Sequence, residues 1–458
     1  MSVLNSNPER SPAPLRVHPG LWVLLLVSGL LLVGALLLAN LQFGLVAPGL
    51  LNPLEVRALP EEWQVRETGP ELLLPLTVAL GIALGIRTLP RRPWTYLLAS
   101  MLLAGFSLRY FLWRATTLNT AHPISFVCSL LFFLFEATYL VSTTFQFYPA
   151  LRFDPRRRTR QADALMDWVE QQQPSVDVFI PTYDEAERLV RRAILACRNI
   201  DYAHKRVIVL DDGHRPAIAA LAAELGVDYL SRPDNAHRKA GNLNYALAHS
   251  DGELVAVFDC DFVPFRQFLY RTVGFFQDPE VALVQTPQHF FNADFHNRNL
   301  GLEFLMPGDM DYFFHYIEVL RDQFNAVICC GTSYVVRRQA LESAGGYFDR
   351  CIVEDYQTGT RLLTRGWRLI YLDEILSLGE VPRTFRDYLD QRLRWMQGNL
   401  QIYFCGKDLP IWSKLDFWQK SFYFNLWLYS FTPLFRAGYI PCCPGKVWQL
   451  SFLGVTQS

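Results

Sequence analysis

The sequence has no excess of either charge, no CxxC pair and no glycine-rich nucleotide loop. Lysine and arginine number 43 against 44 aspartates and glutamates, a formal net charge of -1, so the broad basic field that nucleic-acid binding requires is missing. The nine cysteines are scattered and odd in number. That disfavours a disulfide framework and suits a reducing cytosolic face. Neither GxGxxG nor GxxxxGK followed by Ser or Thr occurs, which argues against a dinucleotide enzyme and a P-loop ATPase.

Apolar content is plentiful. Hydrophobic residues make up 51% of 458 positions, high for a wholly soluble chain, and a membrane portion is expected. Four apolar segments precede residue 150, at 22–41, 72–86, 94–113 and 124–147, to be judged against the roughly 20 residues that cross a bilayer. The first carries no charge; a signal peptide is the alternative, but the run is longer than a signal core and no small-residue cleavage site follows. The second is short, holds two glycines and also fits a re-entrant segment. The third and fourth are long enough, with Trp94, Tyr96, Tyr110, Trp113 and Tyr148 near their ends as interfacial rings. Arginines before the first span, between the second and third and after the fourth put the N-terminus and everything beyond residue 150 in the cytoplasm, in a multi-pass inner (plasma) membrane protein.

From about 175 to 405, short apolar runs alternate with amphipathic patterns, which predicts an α/β fold with a mostly parallel sheet. VDVFIP (176–181), RVIVLDD (206–212), ELVAVFDCD (253–261) and VALVQT (281–286) read as buried strands. Residues 184–199 read as a helix with Leu189, Ile194, Leu195 and Cys197 on its apolar side. In such sheets ligands gather at the carboxyl ends of strands. There stand Thr182, Tyr183, Asp184 and Glu185, then Asp211 and Asp212, then Asp259 and Asp261. An acidic rim of this kind suggests a phosphorylated ligand held through a divalent cation.

On a strand, Asp259 and Asp261 converge on one side and Cys260 faces away. Hard oxygen ligands favour Mg²⁺ or Mn²⁺ over zinc; two solvated aspartates in a turn are the alternative. Glu354-Asp355 offers a general base, or simply acids in a first helical turn. Gln391, Arg394 and Trp395 share a helical face. There a guanidinium suits a diphosphate and an indole a sugar ring, unless Trp395 is core and Arg394 rim. His237-Arg-Lys-Ala-Gly-Asn242 is either a surface basic loop or a place where Lys239 reaches a phosphate.

In order, IPTYDE, LDDG, HRKAGNLN, FDCD, QTPQHFFN, CCGTSYVVRR, VED and QRLRW resemble the processive family 2 glycosyltransferases, above all bacterial cellulose synthase catalytic subunits, over residues 90 to 405. The resemblance implies the family 2 glycosyltransferase fold attached to transmembrane helices. It implies that Thr182, Tyr183, Glu185 and Asp211 line a uridine site, that Lys239 and Asp259 lie by the donor diphosphate, and that Asp261, with Asp259, holds the metal. It further implies that Asp355 is the catalytic base, that Gln391, Arg394 and Trp395 serve donor pyrophosphate and acceptor, and that Cys330, Gly331 and Thr332 lie beside the acceptor end. The implied activity is inverting transfer of glucose from UDP-glucose to a growing β-glycan passed through the bilayer. Val353 replaces the family's usual Thr before Glu-Asp, and Ile328-Cys329 replaces a more aromatic pair.

The resemblance also implies further channel spans. Here 414–420 reads as an interfacial segment, 422–440 as one more span, and the tail to 458 as aberrant, so a truncated or frameshifted chain with compromised extrusion is expected. No PilZ domain for cyclic-di-GMP is expected to follow. A periplasmic accessory subunit, and regulation by a cyclic dinucleotide in trans, are compatible with the sequence. So are a synthase of another β-glycan (chitin, hyaluronan, β-1,3 or mixed-linkage glucan) and, in a different class, a non-catalytic relic or assembly subunit.

Overall fold

The computed structural model describes residues 80–145 (except 83, 87, 91–92, 117 and 119–122), 153–404 (except 304) and 414–426. The chain divides into two compact units, Met1–Leu151 and Arg152–Ser458. In the first, helices α1 (Pro93–Thr116) and α2 (Pro123–Phe145) cover the expected third and fourth spans, with Phe111 against Phe133 at 4.9 Å between ring centroids. Leu103, Leu108 and Leu112 of α1 and Val127, Leu131 and Leu134 of α2 are exposed. Among the described residues, however, no helix is long and apolar enough to cross a membrane. The expected span 22–41, most of 72–86, most of 422–440 and the tail lie outside the described residues.

The second unit is built on a seven-stranded sheet in the order β3–β2–β1–β4–β8–β6–β9. Its strands are β1 (Val176–Thr182), β2 (Lys205–Asp211), β3 (Asp228–Leu230), β4 (Leu254–Val257), β6 (Val281–Gln285), β8 (Tyr334–Arg337) and β9 (Arg368–Tyr371). A smaller sheet joins β5 (Val263–Pro264), β10 (Ser377–Gly379) and β7 (His289–Phe290), with β10 in the middle. Every residue of β1 is buried, as a central strand covered on both faces must be. It runs parallel to both neighbours, Val178 standing opposite Val207 and Ala256. Its one charge, Asp177, accepts from Arg338 Nη2 at 2.8 Å and from Gly252 N–H at 2.7 Å; without those partners a buried carboxylate would be costly.

Helices α3 (Glu187–Arg198), α4 (Pro216–Glu224) and α5 (Arg238–Ala248) follow β1, β2 and β3. The expected helix at 184–199 is therefore present, but its inward face is Val190, Ala193, Ile194 and Cys197. Leu195 is 41% exposed, because position 195 falls about 100° round the helix from Ile194.

The sheet is parallel except for β8, which runs antiparallel to both β4 and β6. This reversal positions the site. An antiparallel strand begins where its neighbour ends, so the segment entering β8 lies at the carboxyl end of β4, and Ser333 N–H donates to Val257 O at 2.9 Å. Helices α6 (Arg338–Ala344) and α7 (Glu354–Thr364) then lead into β9, and α8 (Phe385–Phe404) follows β10. The expected interfacial segment packs on this unit. Gln419 Nε2 donates to Asn325 O at 2.7 Å, and the Arg321 guanidinium lies 5.4 Å from the Phe422 ring and 5.2 Å from that of Tyr423.

Candidate active site

At the ends of β1 and β2 the polar groups are already matched to one another. Glu185 Oε2 accepts from Thr182 Oγ1 at 2.7 Å and from Tyr183 N–H at 2.8 Å, closing the turn out of β1. Arg215 joins the two strand ends, donating to Thr182 Oγ1 and Glu185 O, both at 2.6 Å. Asp211 is fully buried, and its oxygens accept from Gly213 N–H, Arg215 N–H and Nε, and Tyr229 OH at 2.7–3.1 Å. Asp211 thus shapes the loop after β2. Tyr183, just past the end of β1, is 57% exposed.

A second buried pair sits alongside. Arg232 grips Asp212 with two hydrogen bonds, 2.7 and 2.8 Å, and its remaining donors reach Ala236 O and Arg238 O. That bidentate fork fixes the loop leading into α5, and so aims Lys239 at the ends of β4 and β8.

The other side of the site is built differently. Strand β4 ends at Val257, and residues 259–262 form a turn closed by Phe262 N–H to Asp259 O at 2.9 Å. The expected extended geometry of FDCD is therefore corrected to a turn. The separation of roles survives: Cys260 is buried, its thiol donating to Pro181 O at 3.3 Å, while Asp259 and Asp261 stay half-buried. Lys239 Nζ lies 2.5 Å from Asp259 Oδ1 and donates to Gly331 O at 2.8 Å. Asp259 N–H donates to Thr332 Oγ1 at 3.0 Å.

Asp355, in the first turn of α7, closes the site from the opposite direction. Its Oδ1 accepts from Tyr356 N–H at 2.8 Å. Its Oδ2 lies so close to Gly331 that a β-carbon there would stand 2.5 Å away, and Gly331 has φ of +85°. Only glycine meets both demands without strain. Cys330 is fixed just before it, its N–H donating to Gln285 Oε1 at 2.8 Å and its carbonyl accepting from Gln288 Nε2 at 2.7 Å.

Carboxylates outnumber their partners here. Burial, with the Asp259 charge adding to it, pushes the Asp261 carboxyl up to about 7. Burial and then Asp355 do the same to Glu354, also to about 7. Burial raises Asp355 too, while the Lys239 ammonium holds it back. Burial alone would lower the lysine, but Asp259, Glu354 and Asp355 outweigh it and keep Lys239 charged.

The structure therefore brings together Lys239, Asp259, Asp261, Gly331, Thr332 and Asp355, with Thr182, Glu185 and Asp211 on the adjoining strand ends. Gln391, Arg394 and Trp395 stand on α8, and no hydrogen bond or ion pair among the described residues ties them to that cluster. Helix α8 does meet the segment before α7: Gln401 Oε1 accepts from Ile352 N–H at 3.1 Å. Gly398 is pressed on Val353, where a β-carbon would approach within 2.5 Å. Arg392, passed over in the sequence, lays its guanidinium 4.6 Å from the Trp395 ring and 4.9 Å from that of Tyr388, and Arg394 is exposed. Arg215 and Arg232 were also missed; a buried acidic pair such as Asp211-Asp212 was itself the signal that arginines must lie nearby.

Residues 177–345 match the family described as glycosyl transferase family 2, and residues 319–447 that described as cellulose synthase. The chain therefore carries a family 2 glycosyltransferase domain that runs on into a cellulose synthase domain. It is 36% identical over 362 residues to the cellulose synthase catalytic subunit (UDP-forming) of Xanthomonas axonopodis pv. citri, covering 77% of this chain and 48% of that one. It is 37% identical over 346 residues to the cellulose synthase 1 catalytic subunit (UDP-forming) of Komagataeibacter xylinus, covering 72% and 45%. The chain thus spans less than half the length of these relatives. Among solved structures, a mannosyltransferase from Pyrobaculum calidifontis in complex with GDP-Man and Mn2+ is similar at 19% identity and a TM-score of 0.45, over 70% of this chain and 88% of that one.

Proposed function

We propose that this chain transfers glucose from UDP-glucose to the end of a β-1,4-glucan with inversion, as part of a membrane-embedded synthase that passes the product across the bilayer. The observation that carries this reading is the convergence of Asp355, Asp259 and Lys239 on Gly331, which leaves a base and a leaving-group site facing one another across a short stretch of backbone. The relatives, UDP-forming cellulose synthase catalytic subunits, support a uridine diphosphate donor and this polymer.

Asp259 and Asp261 suit a divalent cation. Asp259 keeps Oδ2 beyond its bond to Lys239, Asp261 is a hard oxygen donor, and both sit in a carboxylate-rich cluster that a dication would neutralise. When bound, such an ion, Mg²⁺ or Mn²⁺, supplies charge stabilisation for the diphosphate. The remaining work falls to side chains. Asp355 accepts the proton of the acceptor hydroxyl. The freed oxygen pair attacks the anomeric carbon, whose bond to the phosphate oxygen breaks, with the electron pair leaving on UDP. Lys239 stands beside the departing phosphate, and a raised carboxyl pKa makes Asp355 a better base near neutrality. Thr182, Tyr183, Glu185 and Asp211 shape the uridine pocket, Cys330 to Thr332 the acceptor end, and Gln391, Arg394 and Trp395 on α8 serve pyrophosphate and acceptor.

The decisive experiment is incorporation of label from a panel of UDP-sugars by membranes holding the full chain, followed by linkage analysis. β-1,4-linked glucose is expected, and incorporation of a different sugar or linkage would replace this reading with another β-glycan. Asp261→Ala should abolish cation-dependent UDP binding; unchanged binding would return Asp259 and Asp261 to a solvated turn.

A further inference from the structure

A second cluster of ligating side chains lies apart from the carboxylates of the transfer site. His289, Asp311 and His315 place one ligand atom each within 4.8 Å of one another, and all three are half-buried. They come from two elements. His289 begins β7, and Asp311 and His315 stand four residues apart on the helical stretch 311–322, which contains a π-helical turn at Phe313–Ile317. Positions four apart share a helix face, and π turns inside helices concentrate at functional sites.

The surroundings orient these ligands. His315 Nδ1 lies 2.6 Å from Asp373 Oδ1, a carboxylate just past the end of β9. Donating there, the ring keeps Nε2 for another partner, the arrangement that metal-ligating histidines share. Asp311 Oδ2 accepts from Gly308 N–H at 2.7 Å, leaving Oδ1. The rings of His289 and His315 meet edge to face, with centroids 6.4 Å apart, so neither ring stacks over the other.

We propose that His289, Asp311 and His315 bind a transition-metal dication of the Zn²⁺ or Co²⁺ kind, with Asp373 as the carboxylate that orients His315. Two imidazoles and one carboxylate suit such ions, whereas Mg²⁺ prefers oxygen ligands alone. With metal–nitrogen bonds of about 2.0–2.1 Å, each ligand atom has to move inward by less than about 1 Å. Half-burial leaves solvent a path to the site.

The position gives the metal a positioning role. On the same helical stretch, buried Glu318 accepts from Ile328 N–H at 3.0 Å, and Gln288, next to His289, holds Cys330 O. A metal joining β7 to this helix clamps both supports of the Cys330–Gly331–Thr332 segment. The inference stands on these residues alone and does not depend on the transferase reading.

Cobalt tests it directly. The full chain in detergent is stripped with chelator and titrated with Co²⁺ in excess Mg²⁺, which keeps the hard-oxygen carboxylates occupied. One equivalent is expected to give a visible ligand-field spectrum of nitrogen and oxygen ligation, without sulfur-to-cobalt charge transfer, and to be displaced by Zn²⁺. His289→Gln and His315→Gln should each abolish that spectrum, Asp373→Asn should weaken binding about 10–100-fold, and Asp261→Asn should leave it unchanged. Absence of a one-equivalent spectrum in the unaltered chain overturns the proposal, and so does its persistence in either histidine variant. The unaltered chain decides even if one variant fails to fold, and His289 and His315 lie on separate elements.

Discussion

The two halves of the strand-end rim carry similar numbers of acids but spend them differently. At β1 and β2, Glu185, Asp211 and Asp212 are matched by Arg215, Arg232 and backbone N–H groups, and Asp211 has no exposed surface. At β4, β8 and α7, Asp259, Asp261, Glu354 and Asp355 crowd around the ammonium of Lys239, and two of them are pushed up to about 7. The first half is scaffold, satisfied in the folded chain. The second stores unfavourable charge that a bound cation or an added proton would relieve, the kind of strongly shifted group by which functional sites are marked.

Four measurements sharpen or break that contrast. Asp355→Asn should lower sugar transfer about 10²–10⁴-fold, the usual contribution of a general base, while UDP binding by calorimetry persists; full activity in the variant would remove Asp355 from the chemistry. Arg232→Met leaves Asp212 buried and unpaired and should cost about 3–5 kcal/mol of stability, read by denaturant unfolding. A loss confined to activity would instead move the pair from scaffold to working site. Gly331→Ala places a methyl against Asp355 Oδ2 at a positive φ and should cost about 1–3 kcal/mol. Rescue of transfer by pairing it with Asp355→Ala would be impossible if Asp355 is the base, so only stability should recover in the double variant.

The fourth measurement is of pH dependence. Ordinary carboxyl values are 3.8 for Asp261 and 4.5 for Glu354, against about 7 for each in the fold. Across that window the folded chain binds more protons than the unfolded one, so these groups make stability fall as pH rises from about 4 to about 7, with no further loss above. The difference in Tm between the metal-free chain and Asp261→Asn or Glu354→Gln should grow over the window and shrink when Mg²⁺ is added. A difference that is flat with pH would show that the carboxylates are not crowded.

Much of this was legible beforehand. The runs VDVFIP, RVIVLDD and VALVQT became β1, β2 and β6 within a residue or two, because continuous apolar runs of strand length have few other ways to be buried. Thr182, Asp211, Asp259 and Asp261 fell at strand ends for the same reason. FDCD misled in its geometry. Four buried residues from Leu254 to Val257 gave no sign of where pairing stops, and the turn at 259–262 follows from the neighbouring strands. Arg215 stands only four residues from Asp211, but Arg232 was invisible as a particular partner, since it lies 20 residues from Asp212 and nothing local links them.

By itself the sequence determined the alternating α/β plan, the acidic strand ends and the order of motifs that place the chain with the family 2 glycosyltransferases. Periodicity and residue chemistry are local properties, and they can be read from the chain one window at a time. The tertiary structure alone decided which acids are satisfied and which are strained. It did so by running β8 against its neighbours, which carries Gly331 to Lys239, Asp259 and Asp355, and charge balance is a property of what meets in space.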